Sequence, residues 1–182
     1  MKPLFTLHAG EYLVGSFIQK KYKKKEFKVW IPAKDEGIDL LITDKIFRKS
    51  VSLQVKWSKD YKPTYSSLEK YKACGWWTIE KPKLETSQAD FWVFILYSMM
   101  EKNQHYIIIE PKTLLSKLTK IHDVDLQKFN IYFWLTTKHK CWEGRGLKKK
   151  DKEEIVEGNY KNEERDFSEY LNQWEKIENK LK

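Results

Sequence analysis

A chain of 182 residues that is 41% hydrophobic and 15% aromatic suits one domain with a sizeable core and excludes wholesale disorder. No apolar run reaches the length of a membrane span and none at the start resembles a signal peptide, so the expectation is a cytoplasmic protein with no membrane partner. The net charge of +9 is unevenly placed: residues 151–182 carry ten Asp/Glu and six Lys/Arg, which leaves +13 on residues 1–150, the pattern of a nucleic-acid-binding body with a separate acidic element.

The first predicted element is a helix, with Leu4, Leu7, Val14 and Ile18 at three- and four-residue steps on one face. Glu11 falls on that face, where a carboxylate is costly unless a cation or a donor meets it. The lysine run Lys20-Lys21-Tyr22-Lys23-Lys24-Lys25 follows. Phe27, Val29 and Ile31 then alternate as a first strand before Pro32. In Gly37 to Thr43, Ile38, Leu40 and Ile42 point one way and Asp39 and Leu41 the other. The next run places Val51, Leu53, Val55 and Trp57 in an apolar row and Ser52, Gln54, Lys56 and Ser58 opposite. The connector Asp44 to Ser50 is short enough for an antiparallel hairpin that brings Asp39 onto the face of Gln54 and Lys56. If the first helix packs over that face, Glu11 joins them.

Between Asp60 and Asp90 the pattern is least regular. Tyr61, Tyr65, Tyr71, Trp76 and Trp77 are interleaved with Lys59, Lys62, Lys70, Lys72, Lys81 and Lys83, a mixture that either stacks on bases and holds phosphates or packs under a long loop. Phe91 to Tyr97 is a continuous apolar run suited to a central strand covered on both faces, and Tyr106 to Ile109 is another buried strand. Pro111 opens a helix with Leu114, Leu115 and Leu118 on its inner face. Phe129 to Leu135 is a further strand. A last helix is predicted over about 163–181, from Asn162 onward, with Phe167, Tyr170, Leu171, Trp174, Ile177 and Leu181 at helical spacing. That stripe either covers the core or pairs with its copy in a homodimer. The sum is an α/β protein, one domain over 1–182 with its core in about 4–135, built as a central mixed β-sheet flanked by helices.

Glu11 in Gly10-Glu11-Tyr12-Leu13-Val14, Asp39 in Gly37-Ile38-Asp39, and Gln54-Val55-Lys56 resemble the PD-(D/E)XK nuclease superfamily, whose core is the restriction-endonuclease-like fold. The Gln-x-Lys form looks most like the Mrr-type restriction nucleases, and the early Glu is also similar to Holliday-junction resolvases. Two departures stand out: no Pro precedes Asp39, and Gln54 stands where the commoner pattern has Asp or Glu. The amide oxygen of Gln54 coordinates a hard cation but brings no charge, so affinity would rest on Asp39 with help from Glu11. The resemblance implies Mg²⁺, or Mn²⁺ in its place, held by Glu11, Asp39, Gln54 and the Val55 main-chain carbonyl. It also implies catalytic roles for Glu11, Asp39, Gln54 and Lys56. The cation would polarise the scissile phosphate and lower the pKa of a bound water. Lys56, whose ordinary pKa is about 10.4, would orient that water and stabilise charge rather than act as a base.

The expected function is therefore a metal-dependent endonuclease cutting double-stranded DNA, in restriction or DNA defence. Two alternatives are a DNA-binding protein of the same fold with a decayed site, and a resolvase-like nuclease. Ser58, Lys59, Tyr61 and Arg145 are the candidate DNA contacts, Arg145 because the glycines of Trp142-Glu143-Gly144-Arg145-Gly146 would let backbone approach a groove. The run Lys148-Lys149-Lys150 adds a second basic cluster. Other chemistries lack their motifs. His8, His105, His122 and His139 are scattered, and Cys74 and Cys141 lack metal-ligand spacing and read as reduced thiols. Of the histidines only His8, one turn before Glu11, adjoins the candidate site. There is no Walker-type phosphate loop and no nucleophile elbow.

Overall fold

The structure, a computed structural model, describes residues 9–33, 36–58, 70–98, 101–123 and 125–182. Helix α1 (Ala9–Lys21) leads into three strands, β1 (Lys28–Trp30), β2 (Leu40–Thr43) and β3 (Ser50–Trp57). Strand β4 (Tyr71–Glu80) and the short helix α2 (Lys81–Glu85) precede β5 (Phe91–Ser98), β6 (Asn103–Ile109) and α3 (Pro111–Ile121). The chain ends with β7 (Lys128–Thr136), β8 (Cys141–Glu143), α4 (Lys149–Glu157) and α5 (Glu175–Leu181). None of the helices in the described residues is long and apolar enough to cross a membrane.

The larger sheet is mixed, in the order β1-β2-β3-β5-β6. The expected hairpin is there, with β2 antiparallel to β3 in the register Leu40↔Leu53 to Thr43↔Ser50. Strand β5 lies parallel to β3 and antiparallel to β6. A parallel neighbour needs a crossover, and here the crossover contains β4 and α2. The unbroken apolar run of β5 follows from its central place: Phe91, Val93 and Ile95 enter one core cluster, Trp92, Phe94 and Leu96 the other.

The first cluster joins the face of Val51, Leu53 and Val55 to α1, through Val14 and Ile18, and to α5, through Trp174, Ile177 and Leu181. The second joins the opposite face to α3, through Leu114 and Leu118, and to a three-stranded antiparallel sheet of order β4-β7-β8. Trp77 meets Phe94 edge-on with centroids 5.2 Å apart, and Phe94 meets Phe133 at 5.3 Å. Helices therefore flank one face of the mixed sheet, whereas the other is covered mainly by a second sheet.

Several expectations are corrected. The irregular stretch before Asp90 contains the ten-residue strand β4, paired along its length with β7. Phe129 to Leu135 is a strand as expected, but in the second sheet. The helix expected over 163–181 is α-helical only in α5. Before it the chain forms a 3-10 turn at Ser168–Tyr170, and Leu171 bridges to Ile107 of β6. Asn172, at φ 56°, donates its N–H to the Tyr106 carbonyl and accepts the Tyr106 N–H at 2.9 Å on Oδ1. A left-handed residue tied twice to a strand ends a helix before it forms. The apolar stripe is thus shared, with Phe167 and Tyr170 in one cluster and Trp174, Ile177 and Leu181 in the other.

Candidate active site

Asp39 sits one residue before β2, after a turn in which Gly37 takes φ +88°. Its N–H donates to the Leu53 carbonyl at 2.8 Å, the last backbone rung of the hairpin. Beyond that rung the strands separate. Oδ2 of Asp39 accepts the Val55 N–H at 2.6 Å and the side-chain amide of Gln54. A carboxylate thus takes the place of a strand partner for β3, which keeps its N–H satisfied and opens a cleft beside it.

Gln54 and Lys56 lie on the face of β3 that adjoins Trp92 and Phe94, their register partners on β5. Gln54 is buried, and the Lys56 ammonium stands 5.1 Å from the Trp92 ring centre, close enough for a cation–π contact. Polar rows on a sheet normally face water; here the row faces a recess walled by the turn at Glu36 and Gly37 and by Lys83 to Gln88 in and after α2.

Glu11 reaches the same cleft by another route. Contrary to the sequence expectation, α1 packs over the apolar Val51–Val55 face and not over the polar row. Gly10 makes the approach close, since a Cβ there would lie 3.0 Å from Trp57 Cβ and 3.4 Å from Val55 Cγ1. The first turn of α1 therefore ends against the tip of β3, and Glu11, only 8% exposed, enters the cleft from the helix end. The cleft, about 380 Å³, is lined by Gly10, Glu11, Asp39, Gln54, Val55, Lys56 and Trp57. All four expected site residues line it. A neighbouring recess of about 380 Å³ shares Gln54 and Lys56 and adds Glu36, Lys83, Ser87 and Trp92 among its walls.

Among the described residues no three His, Cys, Asp or Glu side chains gather at one point. A cation in this cleft would have two carboxylates, Glu11 and Asp39, with the Gln54 amide oxygen and the Val55 carbonyl as neutral donors. All are hard oxygens, so the donor chemistry fits Mg²⁺ or Mn²⁺. The amide of Gln54 is turned with its nitrogen to Asp39 and its oxygen toward Gly37, 3.8 Å from where a Cβ there would stand.

Of the expected DNA contacts, Ser58 ends β3 and its Oγ accepts the Trp76 N–H at 3.1 Å. Lys59, Tyr61 and His8 lie outside the described residues. Arg145 does not line the cleft; it sits after β8 and packs over Tyr132. The glycines beside it have their own reasons: a Cβ on Gly144 would strike the Trp134 ring at 2.6 Å, and Gly146 has φ +76°. Sequence reasoning missed Gly10, Trp57 and Trp92 at the site. The position of Trp57 directly after Lys56 was the available signal for Trp57; the other two require the fold.

A second cluster of ionisable groups lies in the second sheet. Glu143 is fully buried and accepts the N–H groups of Arg145 at 2.9 Å and Tyr132 at 3.2 Å, and the Arg165 guanidinium at 2.7 Å. Burial pushes its carboxyl up to about 7 against those donors. His122 Nε2 stands 3.9 Å from Glu143 Oε2. Burial first, then Arg165 and Arg145, push its imidazole down to about 4.

No family model, curated protein or solved structure matches this chain.

Proposed function

We propose that this protein is a metal-dependent nuclease hydrolysing phosphodiester bonds of DNA, with a restriction-endonuclease-like core of the PD-(D/E)XK kind. The observation that carries the reading is the convergence of Glu11, Asp39, Gln54 and Lys56, from three separate elements, on one cleft. The order helix, antiparallel β1-β2-β3 and parallel β5 supports the fold assignment.

In this reading Asp39 and Glu11 supply the negative charge that holds a divalent cation, with the Gln54 amide oxygen and Val55 carbonyl completing the oxygen set. The bound cation supplies Lewis-acid polarisation of the phosphate and an acidified water. Lys56 orients the attacking water and offsets charge developing on the phosphate oxygens, while Trp92 restrains the lysine chain. Trp57 and the first turn of α1 wall the cleft.

One observation favours a second reading, in which the fold binds DNA and no longer cuts it. The Gln54 amide satisfies the Asp39 carboxylate internally, an arrangement stable without a cation. Incubation of plasmid and linear duplex DNA with Mg²⁺ or Mn²⁺, wild type beside Asp39→Ala and Lys56→Ala, separates the two. Metal-dependent cleavage lost in both variants supports the nuclease. Cleavage unchanged in Lys56→Ala sinks the site assignment, and binding without cutting moves the conclusion to the second reading.

A further inference from the structure

The β2-β3 hairpin that carries Asp39 and Gln54 at one end has an apolar tip at the other. Its turn reads Lys45-Ile46-Phe47-Arg48-Lys49, and Ile46 and Phe47 are each 60% exposed. Phe47 takes φ 59°, a left-handed conformation that is uncommon for a bulky residue and that Asn or Gly adopts at lower cost. The turn is nonetheless firmly built. Asp44 Oδ1 accepts the N–H groups of Arg48 at 2.7 Å and Lys49 at 3.3 Å, and the Asp44 carbonyl accepts the Phe47 N–H at 3.3 Å.

Register places this tip on the face of the candidate site. Trp30 pairs with Leu41 and Leu41 with Ser52, and Ser52 shares its side of β3 with Gln54 and Lys56, opposite the side that α1 covers. The Trp30 indole N–H donates to Thr43 Oγ1 at 3.1 Å, and its ring, 48% exposed, has its centre 5.9 Å from that of Phe47. Along β3 four residues separate Ser50 from Gln54, about 13 Å of strand, which equals the rise of about four base pairs. Cations surround the tip. Lys45 pairs with Glu26, but Arg48 and Lys49 are exposed and pair with no carboxylate among the described residues, and Lys28 is exposed on the Trp30 side of β1.

We propose that Ile46 and Phe47 form a wedge that enters a groove of duplex DNA beside the cut and unstacks a base step there, with Lys28, Arg48 and Lys49 on the flanking phosphates. The proposal rests on the nuclease reading for DNA being the substrate, and it deepens that reading to a duplex that is bent where it is cut. An apolar pair at a projecting tip with cations beside it has the chemistry that opens a base step while the backbone is held. The left-handed Phe47 keeps its ring outward at a backbone cost that burial does not offset, as strained residues at binding sites do. The tip shares one hairpin and one sheet face with Asp39, Gln54 and Lys56, at a spacing well inside one helical turn of about 34 Å. A second copy of the chain would set like charges against each other, and a protein interface has an apolar core depleted of charge, which two side chains among cations do not supply. An anionic bilayer offers similar chemistry but has no relation to a cleft on the same face; the test includes it.

The test is equilibrium binding of the full chain to a short duplex carrying a donor and an acceptor dye at its two ends, in EDTA so that cleavage cannot occur. The expected result is a closer dye pair in the complex than in free DNA, with that bend lost and binding about tenfold weaker in Phe47→Asn. Asparagine tolerates the left-handed conformation, so this variant folds, and Phe47→Leu, which keeps an apolar wedge, is expected to retain most of the bend. Arg48→Gln combined with Lys49→Gln is expected to reduce the salt slope of binding by about 2. Binding and bending unchanged in Phe47→Asn, an unbent duplex in the wild-type complex, or no duplex binding overturns the proposal. So does capture of the wild type, but not of Phe47→Asn, by phosphatidylserine vesicles when the two bind DNA equally. Failure of the nuclease reading shows up separately, as absent metal-dependent cleavage by a protein that still bends the duplex.

Discussion

The Gln54 side-chain amide donates to the same Asp39 carboxylate oxygen that accepts the Val55 N–H. Asp39 is thereby doubly satisfied at the point where β2 and β3 part, and the residue that departs from the commoner nuclease pattern is the one that supplies the extra donor. Two different roles for Gln54 follow, a turnable ligand or a permanent plug.

Gln54→Glu distinguishes them. A second carboxylate removes the donor and sets two negative charges side by side, so without a divalent cation the variant is expected to lose about 1–3 kcal/mol of stability. Added Mg²⁺ is expected to restore that loss, because the new pair binds a hard cation better than one carboxylate and an amide. Thermal unfolding in EDTA and in excess Mg²⁺ measures both quantities. A variant whose Tm ignores Mg²⁺ would show that no cation enters the cleft.

Gly10→Ala probes the position of Glu11. A Cβ 3.0 Å from Trp57 Cβ meets the stem of a side chain, not its flexible end, so α1 must shift by a few tenths of an ångström. The expected outcome is a folded protein whose metal-dependent cleavage falls about tenfold or more, since small misplacements of a reacting group are expensive. Wild-type rates in this variant would mean that the close packing of α1 on Trp57 does not set the position of Glu11 that cleavage needs.

Much of the site was legible because polar residues interrupt strongly apolar strands, and the alternation of β2 and β3 places Asp39, Gln54 and Lys56 together whatever else the chain does. The side of the sheet that α1 covers was not legible. Val14 and Ile18 say that the helix has an inner face, not which apolar surface receives it, and Gly10 is informative only once Trp57 lies beside it. Strand β4 was hidden because its first half is buried on both sides, Ala73 facing the mixed sheet while Cys74 packs under α4, and because in its second half an outward position is itself apolar, the exposed Trp76. Two-sided burial in one half and an outward tryptophan in the other erase the apolar–polar alternation. The last helix was overextended because residues 167–181 keep a helical spacing while serving two cores on opposite faces of one sheet.

Asn172 tests that C-terminal correction. Asn172→Ala removes the acceptor for the Tyr106 N–H and places a Cβ-bearing residue without a local hydrogen bond at positive φ. A loss of about 1–3 kcal/mol is expected in urea unfolding, with Asn172→Gly losing less because glycine tolerates the conformation. Equal stability of all three proteins would mean that the link between Asn172 and Tyr106 does not hold the segment.

Glu143 and His122 make opposite demands on pH. The Glu143 carboxyl rises from 4.5 to about 7 on folding, so between those values the folded state holds a proton that the unfolded chain has released, and stability falls as pH rises. The His122 imidazole drops from 6.5 to about 4, so in that window the unfolded chain holds the extra proton and stability rises with pH. Across the overlap, pH 4.5 to 6.5, the two contributions have slopes of opposite sign, each approaching about 1.4 kcal/mol per pH unit, and they nearly cancel. His122→Phe leaves the glutamate alone and is expected to give a protein that loses stability as pH rises through this window. Glu143→Gln leaves the histidine and is expected to give the reverse slope, with Arg165 still held by the Glu143 and Arg145 main-chain carbonyls. Other titrating groups are common to all three proteins, so the differences between their urea-unfolding profiles isolate this pair. Parallel profiles would show that His122 and Glu143 hold their ordinary protonation on folding.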